Sequence, residues 1–115
     1  MDIEWLRNFC LALPAVTEDV KWDNDLCFCI DGKMFCVTAL EGAFKCSFKV
    51  RDEEFEELLL LDGIVPAPYM ARNKWVQVQV PSALDRAAWK SCIKQSYELI
   101  KSKLTKKRRS ELGLA

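Results

Sequence analysis

The chain opens with apolar residues at helical spacing. Asp2 can cap a helix that ends at Pro14. The apolar side of this helix consists of Trp5, Leu6, Phe9, Cys10 and Leu13. The residues from Thr17 to Asp25 are mostly polar and predict a loop.

At Leu26 the apolar pattern changes to a period of two, which predicts strands at 26–30, 33–40 and 44–50. Asp31-Gly32 separates the first two as a type I′ turn, in which both central residues need positive φ. Glu41-Gly42 predicts a second tight turn. The first three strands therefore form an antiparallel meander.

The second half of the chain predicts two more helices and one strand. Asp52 caps a helix with an acidic first turn and an apolar side of Phe55, Leu58 and Leu59, and Gly63 ends it. Residues 65–70 predict a stiff, extended loop, and residues 75–80 alternate as a fourth strand.

The last long helix is predicted to begin at Ser82, with Asp85 three residues on. Its apolar side consists of Trp89, Cys92, Ile93, Ser96, Tyr97, Ile100 and Leu104. Thr105 can cap a short basic helix after it. The order α-β-β-β-α-β-α predicts one α+β domain over residues 1–115, an antiparallel sheet with its helices on one face.

The two turns also fix a register. If each has two residues, Phe28 lies opposite Phe35, and Cys27 forms a cross-strand pair with Cys36. By the second turn, Phe35 faces Phe48 and Val37 faces Cys46. The sheet face away from the helices then consists of Cys27, Cys29, Met34, Cys36, Thr38, Lys45, Ser47, Lys49, Trp75, Gln77 and Gln79. This mixture of small, polar and basic side chains predicts a solvent-exposed face.

Composition narrows the class of protein. Half of the 115 residues are hydrophobic, which predicts a folded domain. No apolar run approaches the length of a membrane span, and the acidic start lacks the basic residues of a secretory signal, so we expect a cytoplasmic protein. There we expect the six cysteines to stay reduced and to act as buried apolar residues. Without histidine or a Cys-x-x-Cys pair, we expect no bound transition metal and no cofactor.

The sequence offers little for catalysis, and we expect no enzyme activity. Histidine, the commonest general base, is missing. The carboxylates Glu18, Asp19, Asp23 and Asp25 suit either a solvated turn or a metal or acid–base site. The four glycines form no phosphate-binding motif.

Net charge is zero, with 17 basic and 17 acidic residues, but the signs are segregated. The segment 101–109 carries six positive charges and no negative one, which fits either a nucleic-acid contact or the C-terminal end of a helix. Trp75 can stack on a ligand or pack over Cys27, Cys29 and Met34. We expect Trp22 to lie in the core and Tyr69 to anchor its loop by packing.

Several short motifs together resemble the MmcQ/YjbR family, over about Ile3 to Leu112. The more specific are Pro-Ala-Pro-Tyr-Met at 66–70 with Trp-Val at 75–76, and Ser-Tyr-Glu-Leu at 96–99. Leu-Pro at 13–14 with Thr-Glu at 17–18, and Gly-Lys-Met-Phe at 32–35, add to them. The resemblance implies a CyaY-like (frataxin-like) fold and DNA binding. Ala15 replaces a glycine common in the family, and the histidine often found near the tryptophan is missing.

Three functions follow as hypotheses. The first is weak DNA or RNA binding through the uncovered sheet face and the basic segment, by Lys45, Lys49, Trp75, Gln77, Lys106, Lys107, Arg108 and Arg109. The second is a protein-interaction module that uses the same face, as frataxin-like proteins do. The third, which the mitomycin association in the family's name implies, is a small-molecule-binding accessory of drug resistance.

Overall fold

A computed structural model describes residues 1–114 of the chain. Its helices are α1 (Ile3–Leu11), α2 (Asp52–Leu59), α3 (Arg86–Lys101) and α4 (Lys106–Glu111). Its strands are β1 (Val16–Lys21), β2 (Asp25–Ile30), β3 (Lys33–Ala39), β4 (Cys46–Lys49), β5 (Ile64–Pro66) and β6 (Trp75–Val78). All neighbouring strands are antiparallel, in the order β1-β2-β3-β4-β6-β5. The predicted α+β class is confirmed.

The predicted element order is wrong at both edges of the sheet. β1 overlaps the predicted loop 17–25, and β5 overlaps the start of the predicted loop 65–70. Each is an edge strand that pairs on one side only. β1 is mostly polar because much of it faces solvent, and β5 has three residues and ends in Pro66, a residue typical of sheet edges. Neither segment alternates clearly enough to predict a strand.

The β2–β3 turn forms as predicted, but the register beyond it does not. Asp31 and Gly32 have φ of 52° and 74°, and Ile30 pairs with Lys33. The register then shifts between Phe28 and Cys29, because β3 contains one extra residue and bulges.

As a result, Phe28 pairs with Cys36 rather than Phe35, and Cys27 pairs with Val37. The predicted Cys27–Cys36 pair is therefore wrong. On the other side of β3, Cys36 pairs with Phe48, so the predicted partners of β4 are also displaced by one residue. The shift turns Cys36 into the helix-covered core and Val37 onto the opposite face.

A serine from α3 completes the hydrogen bonds beside this bulge. The Ser96 hydroxyl donates to the carbonyl oxygen of Phe35 at 2.6 Å and accepts from the backbone N–H of Lys49 at 3.0 Å. The carbonyl of Phe35 in β3 and the N–H of Lys49 in β4 are therefore both satisfied by one buried hydroxyl.

The main core lies between the sheet and the helices. Helices α1, α2 and α3 pack on this one face, and Leu112 and Leu114 after α4 join the same core. Its largest fully buried side chains include Trp89, Tyr97, Phe28, Phe35 and Phe48. Tyr97 donates its hydroxyl hydrogen to the carbonyl oxygen of Pro14 at 2.7 Å, which joins the end of α3 to the turn after α1.

Two of the predicted helix starts are wrong. Asp52 is the first residue of α2 and not its cap, because the N-cap is Arg51, which makes no side-chain cap bond. The other is the start of α3. Asp85, not Ser82, is its N-cap and accepts from the N–H of Ala88, because Pro81–Ala83 forms a separate 3-10 turn. Thr105 caps α4 as predicted, accepting from the N–H of Arg108. Within residues 1–114 no helix has both the length and the apolar character needed to cross a bilayer.

Candidate functional site

The sheet face away from the helices is partly covered by a second, smaller core. Trp75 is only 6% exposed and packs with Cys27, Cys29, Val37 and Ala67. Met34 and Met70 border this cluster. The segment after β5 folds back over the face and supplies Ala67 and Met70, so part of the predicted solvent-exposed face is buried.

Beside this second core lies a cavity of about 710 Å³, which we call the sheet-face cavity. Strand β3 provides much of its floor through Met34, Val37 and Ala39. Polar groups come from Asp25, Lys45, Ser47 and Gln77. The remaining lining residues are Trp22, Pro68, Tyr69 and Met70. The cavity therefore has a largely apolar floor with a few polar side chains, the usual character of a small-molecule site.

Two strongly exposed aromatic side chains line this cavity. Trp22 is 66% exposed, and Tyr69 is fully exposed. Their φ angles of 51° and 65° place both in the left-handed region, which is rare for bulky residues. The core positions predicted for Trp22 and the packing predicted for Tyr69 are wrong, because neither ring is buried by the fold.

The two rings come from positions near opposite edges of the sheet, on the same face. Trp22 belongs to the turn between β1 and β2, whereas Tyr69 follows β5. Strands β3 and β4 lie between these positions in the sheet order. The rings thus flank the floor of the sheet-face cavity.

The structure separates the predicted site residues on the sheet. Lys45 and Gln77 line the cavity, whereas Trp75 is buried beneath the segment after β5. Lys49 lies at the other end of β4 and donates its ammonium hydrogen to the carbonyl oxygen of Asn73. Burial and the nearby Lys103 lower the pKa of Lys49. Of the two predicted alternatives for Trp75, stacking on a ligand and packing in the fold, the structure shows packing. The buried ring offers no exposed plane for a nucleic-acid base.

The predicted basic segment lies with the helices rather than on the uncovered face. Lys106 and Lys107 are exposed in α4, and Arg109 is half-buried. Arg108 binds Asp31 at 2.9 Å and Glu111 at 3.0 Å, so its charge is already paired. These ion pairs raise the pKa of Arg108. Because Asp31 and Lys45 lie at opposite ends of β3, the segment does not join the cavity.

The cysteines are buried on both sides of the sheet, with Cys92 half-buried. Cys36 and Cys46 have sulfur atoms 3.4 Å apart in the main core. Burial raises the pKa of Cys27 and of Cys92 to about 11. Within residues 1–114 no group of three or more cysteine or carboxylate side chains is arranged to hold a metal ion.

The carboxylates of the predicted loop are also dispersed. Glu18 forms a two-pronged ion pair with Arg7, with the closest atoms 2.7 Å apart, which holds the pKa of Glu18 below its usual value. Asp25 lines the cavity, and Asp23 lies in the β1–β2 turn at a φ of 70°. Of the two alternatives, the solvated turn describes Asp23 alone, because Glu18 and Asp19 lie in β1 and Asp25 begins β2.

The family model described as YjbR matches residues 11–99. The chain belongs to the YjbR family.

Solved structures support this YjbR assignment. The crystal structure of Deinococcus radiodurans protein DR2400, with a DUF419 domain, has a TM-score of 0.89 and 28% sequence identity, over 98% of this chain and 88% of that one. A protein from Pseudomonas syringae has a TM-score of 0.73 and 19% identity, over 87% of this chain and 99% of that one, which shows a shared fold. The search of curated proteins found no match. The CyaY-like fold that the resemblance implies stays a prediction.

The sequence pattern does not predict the exposure of Trp22 and Tyr69, the two residues that mark the cavity of this YjbR protein. A tryptophan beside Asp23-Asn24 and a tyrosine after Pro68 both lie in turn-forming sequence, and this is the one available signal that they are exposed. The two rings lie on either side of β3 and β4 because Trp22 follows β1 and Tyr69 follows β5. These are the two strands that the sequence pattern does not predict.

Proposed function

We propose that this protein binds a small organic molecule in the sheet-face cavity and acts by binding, without catalysis. The observation that carries the proposal is the pair of exposed rings, Trp22 and Tyr69, beside a cavity with an apolar floor. Left-handed backbone at bulky residues costs on the order of 1–3 kcal/mol and is concentrated at ligand-binding sites. Neither ring offsets this cost by being buried in the fold.

The size and chemistry of the cavity support the same proposal. Its volume of about 710 Å³ lies within the range of about 300–1,000 Å³ common for small-molecule sites. Methionine and small apolar side chains adapt to a ligand surface, and a few polar groups can orient it. The chain contains no histidine to serve as a general base, which favours binding over chemistry.

Titration with the uncharged fluorescent dye N-phenyl-1-naphthylamine tests this proposal. We expect one saturable site per chain with increased, blue-shifted emission. Ala39→Phe and Gln77→Trp, which fill the cavity from two different strands, should each weaken binding about tenfold or more, equivalent to at least about 1.4 kcal/mol. Circular dichroism establishes that each variant is folded.

Leu60→Ala is the matched control, because Leu60 is 83% exposed at the end of α2 and does not line the cavity. It should leave dye affinity unchanged. The proposal fails if the wild-type protein shows no saturable binding, or if two folded cavity-filling variants bind the dye as well as the wild type.

A second function, weak DNA or RNA binding, is supported by cations gathered at one end of the molecule. We call this the basic end; it consists of Lys33, Lys49, Arg72, Lys103, Lys106 and Lys107. Lys103 is close enough to lower the pKa of Lys49, whose ammonium group binds the carbonyl of Asn73, next to Arg72. Arg108 binds Asp31 in the turn beside Lys33 and thereby neutralises an acid there.

Fluorescence anisotropy with a labelled 20-nucleotide duplex and its single strand tests this second function. Four to six phosphate contacts imply a log–log salt slope of about −3 to −5. Lys106→Glu with Lys107→Glu should weaken binding to all sequences. Arg86→Glu with Lys90→Glu, exposed cations at the start of α3, should have much less effect.

Nucleic-acid binding is rejected if no binding occurs at low salt, or if the two double variants behave alike. Because the basic end and the cavity are separate, this result leaves the small-molecule proposal intact. The protein-interaction alternative stays a prediction.

A further inference from the structure

We infer that the ligand of the sheet-face cavity is a planar aromatic molecule with one acidic group, its rings between Trp22 and Tyr69 and its acid on Lys45. The inference rests on the proposed small-molecule function and specifies the ligand's chemical class. It is carried by three features: the flanking rings, the floor, and the distribution of hydrogen-bond donors.

The strands next to the two flanking rings are far enough apart for a flat molecule. Trp22 precedes β2 and Tyr69 belongs to the segment between β5 and β6, and three strand spacings separate β2 from β6. At about 4.8 Å per strand the backbones of β2 and β6 lie about 14 Å apart, which leaves room between the two side chains for a fused aromatic ring system. Aromatic side chains prefer offset-stacked or edge-to-face contacts with other rings, and both arrangements are available to exposed rings.

The floor complements the same kind of ligand. Met34 and Met70 line the cavity, and their thioether sulfurs make favourable contacts with aromatic rings. Val37 and Ala39 have short side chains without polar atoms, so the centre of the floor is recessed and apolar. A flat apolar ligand can therefore exclude water from the floor without leaving buried polar groups unpaired.

Hydrogen-bond donors predominate on the β4–β6 side of the cavity. The Gln77 carbonyl oxygen already accepts from the Gln79 amide at 2.9 Å, which leaves the Gln77 amino group as the available end. Within residues 1–114 the Lys45 ammonium group makes no hydrogen bond or ion pair. A ligand group that accepts from both is best supplied by an acid.

The charges around Lys45 favour an acid as well. Continuing the register by one residue places the uncharged Ala39 and Gln79 beside Lys45 on the neighbouring strands. Asp25, the carboxylate that lines the cavity, lies between Lys21 of β1 and Ala39 of β3, so Ala39 separates it from Lys45. Within residues 1–114 Lys45 forms no ion pair, although Asp25 lies beyond Ala39 in the same row, so its ammonium group is available to an acidic ligand.

Calorimetric titration with three isosteric probes tests the inference. The probes are 2-naphthoate, 2-naphthamide and naphthalene-2-carboxamidine, which differ in charge but share the ring system. We expect naphthoate to bind about tenfold more tightly than either of the others, as a charge-assisted hydrogen bond requires. The saturated analogue decahydronaphthalene-2-carboxylate, which keeps the acid but loses the flat ring, should bind about tenfold more weakly than naphthoate.

Variants assign the charge recognition to one residue. Lys45→Met should reduce naphthoate affinity to the level of naphthamide and leave naphthamide binding unchanged. Lys90→Met, the same change at an exposed position of α3, should alter neither. Trp22→Ala and Tyr69→Ala should each weaken both aromatic probes, because stacking does not depend on the acid.

The outcomes also separate this inference from the function on which it rests. If naphthamide or the amidine binds as tightly as naphthoate, or Lys45→Met has no effect, the acid assignment is wrong while small-molecule binding stands. If the saturated acid binds as well as naphthoate, the aromatic assignment is wrong. If neither these probes nor the uncharged dye bind, the proposed function itself fails.

Discussion

At position 96 a single hydroxyl completes the hydrogen bonding between two strands. It contacts both Phe35 and Lys49 and is fully buried. Ser96→Ala removes both contacts and leaves two backbone groups without their partner, so we expect the free energy of unfolding to fall by about 2–3 kcal/mol. Chemical denaturation measures this change.

Ser102→Ala provides the matched control for that prediction. The Ser102 hydroxyl also donates to a backbone carbonyl, that of Leu99 at 2.7 Å, but at an exposed helix end where water can replace it. We expect a loss of less than about 0.5 kcal/mol. Equal losses in the two variants would show that Ser96 does not support the bulge of β3.

We expect replacement of Tyr69 to weaken ligand binding without lowering the free energy of unfolding. Its ring is fully exposed, and its φ of 65° suits asparagine better than tyrosine. Tyr69→Asn should therefore leave the free energy of unfolding unchanged or raise it by up to about 1 kcal/mol. The affinity for the naphthylamine dye should fall at the same time.

The comparison variant for this trade is Lys74→Asn, since Lys74 has a φ of 63° but does not line the cavity. Dye affinity should be unaffected by that change. A Tyr69→Asn protein that is strongly destabilised would mean that the ring packs in the fold, and the argument from backbone strain would be lost.

On the scale of elements, Trp75 at the start of β6 joins the sheet to the segment that folds back over it. The ring packs against Cys27, Cys29 and Met70 in the second core. Trp75→Ala should lower the free energy of unfolding by about 3–5 kcal/mol, the usual cost of removing a buried aromatic side chain. Denaturant titration tests this directly.

Trp22→Ala is the control for this prediction, because it removes a tryptophan side chain that is 66% exposed. We expect a change within about 0.5 kcal/mol. A Trp75→Ala variant as stable as the wild type would restore the alternative that Trp75 is available for stacking on a ligand.

How far the sequence predicts the fold differs from element to element. The apolar pattern with a period of two predicts strands β2 and β3, and Asp31-Gly32 predicts the turn between them, where both residues have positive φ. The bulge in β3 was not predicted, since its hydrogen bonds are completed by Ser96, which lies 61 residues away in sequence. Periodicity describes neighbours along a strand, whereas this irregularity depends on tertiary contacts.

The same limit applies to the candidate site. Lys45 and Gln77 were predicted on the uncovered face, and both line the cavity. Trp75 was placed on the correct face but is covered by a segment predicted to be an ordinary loop. Exposure of Trp22 and Tyr69 depends on how two edge strands end, which local residue preferences do not determine.

On the scale of the whole molecule, the sheet separates two buried environments, and both contain thiols. Cys10, Cys36 and Cys46 belong to the main core, whereas Cys27 and Cys29 belong to the second. A thiolate is costly in either place, because burial disfavours the charged form. Thiol ionisation therefore couples the stability of both faces to pH.

The sign of this coupling follows from the direction of the pKa shifts. Burial raises the pKa of Cys27 and of Cys92 from 9.0 to about 11 in the folded chain. Below pH 9 both states keep the proton, and the full stability is present. Between pH 9 and 11 the unfolded chain loses these protons first, so the free energy of unfolding falls as pH rises.

Difference measurements separate this effect from the titration of lysine and tyrosine. Cys27→Ala and Cys92→Ala should each be less stable than the wild type at pH 7, because a buried side chain is shortened. As pH rises through 9 towards 11, the wild type loses the contribution of that thiol and the variant has none to lose, so the gap in unfolding free energy should narrow. Urea denaturation at intervals across this range measures the gap. A gap that stays constant to pH 11 would show that these thiols ionise equally easily in the folded and unfolded chain, contrary to their burial.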